Sequence, residues 1–343
     1  GHSIYNLYCD RYAAKGFPYS MAIGIVGFLG GNADDTNGVN GEKSEAVFEN
    51  GWQPAVRNLV LASGSVYGRR MVGGIVGRVG ETSNGVVIEN CANKAAVRNT
   101  DSKGVGGIVG SAWGKGTIRG CYNTGAILTT YACPAGGILG TNEGMDVYHC
   151  YNTGTINTNG VQYGRGIGGH DSGTYTVAGC FYLDGCDDDP ASNGYYRGTS
   201  RKISVSVTKL TAAQMKDPSL LEQLNTNGSV FASDTAGKNG GYPVLWFENG
   251  AQSGTCQLTQ GSCTNGAFTV SQTGAVPLGT TVALAAQPGA GYRLTAFTAN
   301  GKAILGDSYT VTGDTVLSAA FQKVKTATLT IRDSDACYLA VAR

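Results

Sequence analysis

Short apolar segments alternate with glycine-rich turns along the first 180 residues, and over most of this stretch the pattern repeats about every 30 residues. A five-residue block of apolar residues and glycine recurs as IGIVG from Ile23, GGIVG from Gly73 and from Gly106, GGILG from Gly136 and RGIGG from Arg165. The last four copies begin 33, 30 and 29 residues apart. Self-similarity at such a period predicts a repeat architecture in which successive copies stack on one another.

A second block keeps step with the first. Its copies are IYNL from Ile4, VRNL from Val56, IENC from Ile88, IRGC from Ile118, VYHC from Val147 and VAGC from Val177. The first interval is 52 residues long, and the Gly-, Asn- and Asp-rich stretch 30–41 within it predicts an inserted loop. A third short stretch follows, as in residues 95–99, 125–129 and 154–158. Three strand-length pieces per repeat predict one triangular coil of a parallel β-solenoid.

Stacked coils bring equivalent side chains into ladders with a spacing of about 4.8 Å. The predicted ladders are aliphatic (Ile4, Val56, Ile88, Ile118, Val147, Val177), aromatic (Ala92, Tyr122, Tyr151, Phe181) and amide (Asn93, Asn123, Asn152). We expect the amides to bond the turn backbone and one another. Ile118 and Cys121 are three residues apart and cannot both point inward from one flat strand, so a bend must lie between them. Parity does not decide whether Cys121 or Tyr122 points inward.

The pattern GGIVG, then a strand ending in NC or GC, then YNTG resembles the GLUG repeats of large secreted or wall-attached bacterial proteins. Residues 180–184, 210–215, 221–225 and 241–246 resemble the segment that closes such solenoids. Thr211 and Gln214 have the spacing of a capping box, which predicts a small helical cap over the open last coil.

The composition changes after residue 250. Residues 279–284, Pro288, Gly291, Phe297 and 317–321 resemble the divergent internalin B-type repeat, a small β-rich module. Alternation at Val282, Leu284 and Ala286 predicts a strand, and Asn300-Gly301 predicts a hairpin turn.

The expected fold class is all-β: a right-handed parallel β-solenoid (β-helix) with a small helical cap, followed by a small β-rich module. We predict the solenoid over residues 1–180, its cap over 181–249, the internalin B-repeat-like module over 250–325, and the start of a further module or a tail over 326–343.

Composition narrows the function classes. The chain has 54 glycines in 343 residues, 14% charged residues and 41% hydrophobic residues, which is unlike a helix-rich enzyme and unlike a disordered linker. With 25 basic and 24 acidic side chains, it lacks the cationic excess that attracts nucleic acid. No apolar run approaches the roughly 20 residues that span a bilayer, so no membrane insertion is expected within these residues.

Ten cysteines raise the question of metal or disulfide chemistry. Cys91, Cys121, Cys150 and Cys180 hold the same place in four coils, and Leu7 and Leu59 precede them there. A place that accepts Leu and Cys alike is most simply a buried apolar slot. Cys256 and Cys263 flank a short loop and could pair, whereas Cys9, Cys133, Cys186 and Cys337 form no pattern.

Other candidate sites are weaker. Asp184, Asp187, Asp188 and Asp189 surround the exit from the solenoid; they form either a solvated acidic turn or a calcium site, and no other cofactor is expected. Gly164, Gly166 and Gly169 match the GxGxxG string but lack the helix that a dinucleotide site needs. His149 holds the coil place of Asn90 and Gly120, and His2 and His170 have no partner at a readable spacing, so each histidine is expected to be structural or solvent-facing.

The favoured function is a non-catalytic bacterial cell-surface or secreted protein, an adhesin-like spacer or scaffold, in the wall of a Gram-positive bacterium or released from it. Its expected partner is an unidentified host surface glycan or protein. If the aromatic ladder faces outward, Tyr122, Tyr151 and Phe181 offer a strip for stacking on glycan.

Two alternatives stay open. Parallel β-solenoids also host polysaccharide lyases and glycoside hydrolases, but the outward positions carry Arg57, Glu89 and Arg119 singly, without paired carboxylates. The second alternative is a purely mechanical or self-associating role. GLUG-type repeats also accompany IgA-cleaving metallopeptidases; their HExxH zinc motif is absent from this chain, so the resemblance does not carry that activity over.

Overall fold

The computed structural model describes residues 1–10, 22–30, 53–80, 82, 84–101, 103–160, 164–171, 173–187, 193–195, 202–226, 231–249, 255–277, 279–304, 306–311 and 313–324. The chain is nearly all β and forms a parallel β-solenoid of about four turns, followed by a small β-rich C-terminal module. The predicted tail, 326–343, lies outside the described residues.

Most of the solenoid strands are short, and only the last two, β24 and β25, are long. They are β1 (His2–Ile4), β2 (Leu7–Asp10), β3 (Val26–Leu29), β4 (Ala55–Arg57), β5 (Leu59–Leu61), β6 (Gly64–Tyr67), β7 (Val72–Gly73), β8 (Val76–Val79), β9 (Val86–Glu89), β10 (Ala92–Asn93), β11 (Ala96–Asn99), β12 (Val105–Gly106), β13 (Val109–Ala112), β14 (Gly116–Arg119), β15 (Tyr122–Asn123), β16 (Ile127–Thr129), β17 (Ala135–Gly136), β18 (Leu139–Asn142), β19 (Met145–Tyr148), β20 (Tyr151–Asn152), β21 (Ile156–Asn157), β22 (Gly164–Arg165), β23 (Gly168–Asp171), β24 (Thr174–Leu183) and β25 (Lys202–Leu210).

Each of the four turns from β4 to β23 contains five strand segments rather than the predicted three, as in the turn from β9 to β13. Equivalent segments pair in parallel, in the orders β2-β6-β11-β16-β21, β22-β17-β12-β7 and β23-β18-β13-β8-β3. The remaining two ladders, β1-β5-β10-β15-β20 and β4-β9-β14-β19, both end on the long strand β24. The sheets therefore run along the solenoid, as the repeat predicted.

The register confirms most of the aliphatic ladder. Val56, Ile88, Ile118, Val147 and Val177 pair in that order, one in each turn. Ile4 is an error in the prediction, because it pairs with Leu61 in the neighbouring ladder. The same shift places His2 rather than Leu7 over Leu59.

A left-handed bend separates the two ladders that meet on β24. Its column is Asn58, Asn90, Gly120, His149 and Gly179, all with φ between 50° and 61°. This bend lets Ile118 and Cys121 both point into the core, where each is fully buried. Tyr122, the next residue, consequently points out of the coil. Asn and Gly suit the column because they tolerate positive φ better than other residues.

The amide ladder forms as predicted. The side-chain amide of Asn93 donates to Asn123 Oδ1 at 2.7 Å, and that of Asn123 donates to Asn152 Oδ1 at 2.7 Å. Each amide also donates to a turn carbonyl two residues ahead, for example Asn123 to Gly125 at 2.9 Å. The second glycine of the repeat block lies against this ladder; a Cβ on Gly107 would come within 2.3 Å of Asn123 Cγ.

Strand β25 and two tyrosine rings close the last coil of the solenoid. Strand β25 pairs with β24, and the rings of Tyr182 and Tyr195 lie over Gly166 and Gly168 of the last coil. The chain then forms a 3₁₀ turn (Gln214–Lys216), helix α1 (Pro218–Leu224), β26 (Phe231–Ala232), β27 (Val244–Leu245) and a second 3₁₀ turn (Trp246–Asn249). We call residues 211–249 the lateral cap.

The sequence predicts that the helical cap covers the open last coil, and this prediction is wrong: the lateral cap lies on the side of the solenoid. Met215, Leu220, Leu224, Phe231 and Leu245 pack on the side of the solenoid, against a column of one residue per turn. The column is Val60, Ala92, Tyr122, Tyr151 and Phe181. The predicted reciprocal bonds between Thr211 and Gln214 form, and Asp217 caps α1 by accepting from Ser219 N at 2.8 Å.

The C-terminal module has strands β28 (Thr255–Gln260), β29 (Gly266–Val270), β30 (Gly274–Pro277), β31 (Thr281–Pro288), β32 (Tyr292–Ala299), β33 (Lys302–Ile304), β34 (Ser308–Thr310) and β35 (Thr315–Lys323). They form two sheets, β30-β28-β35-β32-β33 and β29-β31-β34. Val282 and Leu284 are buried in the module's own core. Asn300 and Gly301, with φ of 48° and 77°, make the predicted hairpin turn between β32 and β33.

No helix in the described part of the chain is long and apolar enough to cross a membrane.

Candidate functional site

The aromatic ladder is not an exposed binding strip. Tyr122 and Tyr151 have no exposed surface and Phe181 is 5% exposed. The two tyrosine rings stack in parallel with their centroids 5.0 Å apart, and Phe231 of the lateral cap packs on both. The ladder does face out of the coil, but the cap covers it; these three residues therefore cannot stack on a glycan in this structure.

Hydrogen bonds and an ion pair join the lateral cap to the aromatic ladder. The Tyr122 hydroxyl donates to Glu248 Oε2 at 2.6 Å, and Lys94 Nζ lies 2.5 Å from Glu248 Oε1. The Tyr151 hydroxyl donates to the Pro243 carbonyl and accepts from Asn239 at 2.7 Å. Burial raises the pKa of both phenols well above the usual value. These groups hold two parts of the chain together and are not available to a ligand.

The predicted calcium ligands lie only partly within the described residues. Asp184 pairs with Lys209 at 3.5 Å, and Asp187 accepts a hydrogen bond from Gly166 N at 3.0 Å. Asp188 and Asp189 are outside the described residues. Where the structure describes the chain, no three His, Cys, Asp or Glu side chains are grouped to hold a metal ion. The calcium site stays a prediction.

The cysteine column is part of the core. Cys91, Cys121, Cys150 and Cys180 are fully buried in the main hydrophobic cluster, as the apolar-slot interpretation predicts. Each described cysteine is a free thiol, so Cys256 and Cys263 are not paired in this structure. The glycines of the GxGxxG string lie in and between β22 and β23, which are solenoid strands.

An outward face of the solenoid carries the convergent polar side chains. Thr117 and Arg119 flank the inward Ile118 on β14, and Asp146 and Tyr148 flank Val147 on β19. Because alternate residues of a strand point to opposite faces, all four lie on the outer side of this wall. Register places Asp146 over Thr117 and Tyr148 over Arg119.

The charges on this face are organised into one column. Glu89, whose side chain is 3% exposed, lies between the guanidinium groups of Arg57 and Arg119, and its Oε2 accepts from Arg119 Nε at 2.5 Å. The three side chains that the sequence presents singly therefore form an ion triad. Arg119 also reaches the C-terminal module, where its Nη2 lies 3.4 Å from Ser308 Oγ.

A cleft of about 540 Å³ opens where the module meets this face. The solenoid lines it with Gln53, Val87, Thr117, Arg119, Asp146 and Tyr148, and the module lines it with residues 294–297, Ile304, Gly306, Asp307 and Ser308. We call this space the junction cleft. Its volume is in the range of small-molecule sites.

One hydrogen bond and one raised pKa define the polar groups of the cleft. Asp146 Oδ1 accepts from Thr176 N at 2.6 Å, which orients the carboxylate. Burial, with the nearby Asp146 as a second cause, raises the pKa of Tyr148, so its hydroxyl is protonated and can donate near neutral pH. The cleft therefore offers hydroxyl, carboxylate and guanidinium groups beside one partly buried aromatic ring.

Arg119 is recognisable in the sequence as an outward residue, whereas Asp146, Tyr148, Asp307 and Ser308 were not predicted to be part of a site. The available signal was the pair of positions that flank each aliphatic ladder residue, which a two-residue alternation places outside. Nothing in the repeat indicated which outer wall the C-terminal module would contact.

Comparisons with known proteins agree with both repeat types. The GLUG motif matches residues 101–128, and the divergent InlB B-repeat domain matches residues 256–325. A crystal structure of a "putative immunoglobulin A1 protease" from Bacteroides ovatus aligns with 21% identity and a TM-score of 0.48, covering 71% of this chain and 75% of that one. A search of curated protein sequences finds no significant match. The two repeat families are typical of bacterial surface proteins.

Proposed function

We propose that this chain is a non-catalytic, adhesin-like scaffold displayed on or released from a bacterial cell, where it binds a host glycan or protein. The observation that carries the proposal is the in-register stack of coils. A ladder of Val and Ile runs through every turn from β4 to β24, and Cys and Asn ladders run beside it through most of those turns, which makes a stiff element suited to holding a module away from a surface.

The two repeat families support an extracellular location. The InlB-type module sits beside the solenoid and not in line with it, since Ser308 contacts Arg119 of the third coil wall. A surface built from two adjoining units is a suitable place for recognition, because clefts at such junctions are common ligand sites.

Adhesion of beads coated with the full chain tests this function. We expect the beads to be retained on mucin-coated surfaces above the level of uncoated beads. Beads coated with the Gly107→Val variant are the matched control; a Cβ at that position lies 2.2 Å from the Gly137 carbonyl, so the stack cannot form. Equal retention of both coatings would contradict a role for the folded scaffold.

The same preparation is incubated with IgA1, polyuronides and mucin glycans to test the non-catalytic part. New reducing ends, unsaturated uronates or heavy-chain fragments in the presence of the native chain, but not of the Gly107→Val variant, would identify an enzyme instead.

A further inference from the structure

We infer that the junction cleft binds a neutral oligosaccharide, clamped between the β14–β19 face of the solenoid and the β32–β34 segment of the module. This inference rests on the proposed function and adds to it a ligand class and a site. It is carried by three observations: the composition of the lining, its charge and the way the two walls are joined.

The lining suits sugar hydroxyls. A hydroxyl both donates and accepts, so its binding site needs groups of both kinds. Asp146 and Asp307 accept, Arg119 donates, and the hydroxyls of Thr117 and Ser308 do both. The Tyr148 ring, partly buried on the solenoid wall, supplies a flat apolar surface for the C–H face of a pyranose ring.

The charge of the cleft selects against acidic sugars. Its lining contains one cation, Arg119, and two carboxylates, Asp146 and Asp307. Arg119 is already paired with Glu89, whose second neighbour is Arg57. Two arginines against three carboxylates (Glu89, Asp146 and Asp307) leave one net negative charge at this wall, so a uronate or sialic acid would be repelled, whereas a neutral sugar would not.

A hydrogen bond within the lining joins the two walls of the cleft. Arg119 contacts Ser308 there, and Glu89 fixes the guanidinium from behind. A preorganised cleft of this kind loses little entropy on binding. Filling it should also link the module to the solenoid and slow their separation.

The test is calorimetric titration of the full chain with neutral trisaccharides (maltotriose, cellotriose, xylotriose and chitotriose) and with galacturonic acid trimer. We expect at least one neutral trimer to bind and the acidic trimer not to bind. For that trimer, Tyr148→Ala and Asp307→Asn should weaken Kd by about tenfold or more, as loss of a ring contact or of a charged acceptor does.

Matched variants keep the result interpretable. Asp184→Asn removes an exposed carboxylate and Tyr131→Ala an exposed ring, both outside the cleft, and should change Kd by less than about twofold. Ala296→Phe should abolish binding by filling the cleft without removing a polar group. Each variant is first shown to have the thermal unfolding midpoint of the native chain. If Tyr148→Ala or Asp307→Asn does not, Asp146→Asn takes its place as the cleft variant.

The outcomes separate this inference from the proposed function. If no neutral trimer binds, or if trimers bind equally to Ala296→Phe, or if only the acidic trimer or a lysine-rich peptide binds, the cleft assignment is overturned while bead adhesion is unaffected. If a neutral trimer binds in the cleft but beads do not adhere, the cleft stands and the adhesive role is overturned.

Discussion

At the scale of single residues, the bend column shows how this chain accommodates a backbone that most side chains avoid. His149 occupies the place of Asn58, Asn90, Gly120 and Gly179, at a φ of 50°. It is 7% exposed. Its imidazole ring lies against Gly179 on one side and near the backbone of Gln223 on α1 on the other. Burial lowers its pKa, and the Gln223 backbone offsets part of that effect.

His149 should therefore make folding sensitive to pH. A histidine with a lowered folded-state pKa binds protons more readily in the unfolded chain, whose value is about 6.5. The stabilisation by neutral His149 is therefore complete above that pH and is lost as the pH falls below it. We expect the free energy of unfolding in urea to drop between about pH 7 and pH 5.

The His149→Asn variant is the control, because Asn holds the same bend at Asn58 and Asn90. It retains His2 and His170, so the difference between the two pH profiles isolates His149. Parallel profiles for the two proteins would contradict the assignment.

The buried thiols should be chemically inert in the folded chain. Burial is the main reason that the pKa values of Cys91, Cys121 and Cys150 are well above normal, and it raises that of Cys186 to about 12. Alkylation needs an accessible thiolate. Mass spectrometry after iodoacetamide treatment at about pH 8 should find these cysteines unmodified and the partly exposed Cys263 modified. Labelling of Cys121 at the rate of Cys263 would show that the column opens.

At the scale of elements, the lateral cap is a separate unit of packing on the solenoid. Phe231 of β26 is 5% exposed, and its ring centroid lies 6.3 Å from that of Tyr122 and 5.6 Å from that of Tyr151. The solenoid core is a different hydrophobic cluster, on the opposite side of the same strands. Loss of cap packing should therefore leave the coils folded.

We expect Phe231→Ala to destabilise the lateral cap by about 3–5 kcal/mol, the usual cost of removing a buried phenylalanine ring. Hydrogen exchange should accelerate in residues 211–249 and stay slow in β9, β14 and β19. Tyr131→Ala, which removes an exposed ring, should change neither region. Equal acceleration in the coils would mean that cap and solenoid unfold as one unit.

Much of the solenoid was predictable because a fixed period reports on stacking directly. Val56 through Val177, the amide ladder and the bend follow from spacing alone. Ile4 was misplaced because the long first interval breaks the count, and its block has apolar residues in either register. Burial of Tyr122 was not predictable, since its partner Glu248 is 126 residues away and belongs to a segment without the repeat.

At the scale of the whole molecule, one carboxylate connects three coils and the C-terminal module. Glu89 binds Arg57 of the preceding coil and Arg119 of the following one, and Arg119 contacts Ser308. The junction cleft depends on this arrangement. The sequence could not reveal it, because the position of the module is set by contacts between distant segments.

Glu89→Gln should destabilise the chain by about 3–5 kcal/mol, because it leaves two adjacent guanidinium groups without their counter-charge. The midpoint of thermal unfolding should fall to a lower temperature, and small-angle scattering should show a larger radius of gyration if the module separates. The double variant Glu89→Gln/Arg57→Gln should recover part of the loss, and Asp184→Asn should have no effect. An unchanged midpoint for Glu89→Gln would show that the triad contributes nothing to stability.

The lateral cap also limits how the number of coils in this solenoid can change. It touches one side chain in each turn, from Val60 through Phe181, so its span is matched to a fixed number of coils. Unequal recombination that added a coil would leave one rung of that column uncovered and exposed to water. Growth of the solenoid by repeat duplication would therefore require a longer cap at the same time, so the length of the cap sets the number of coils.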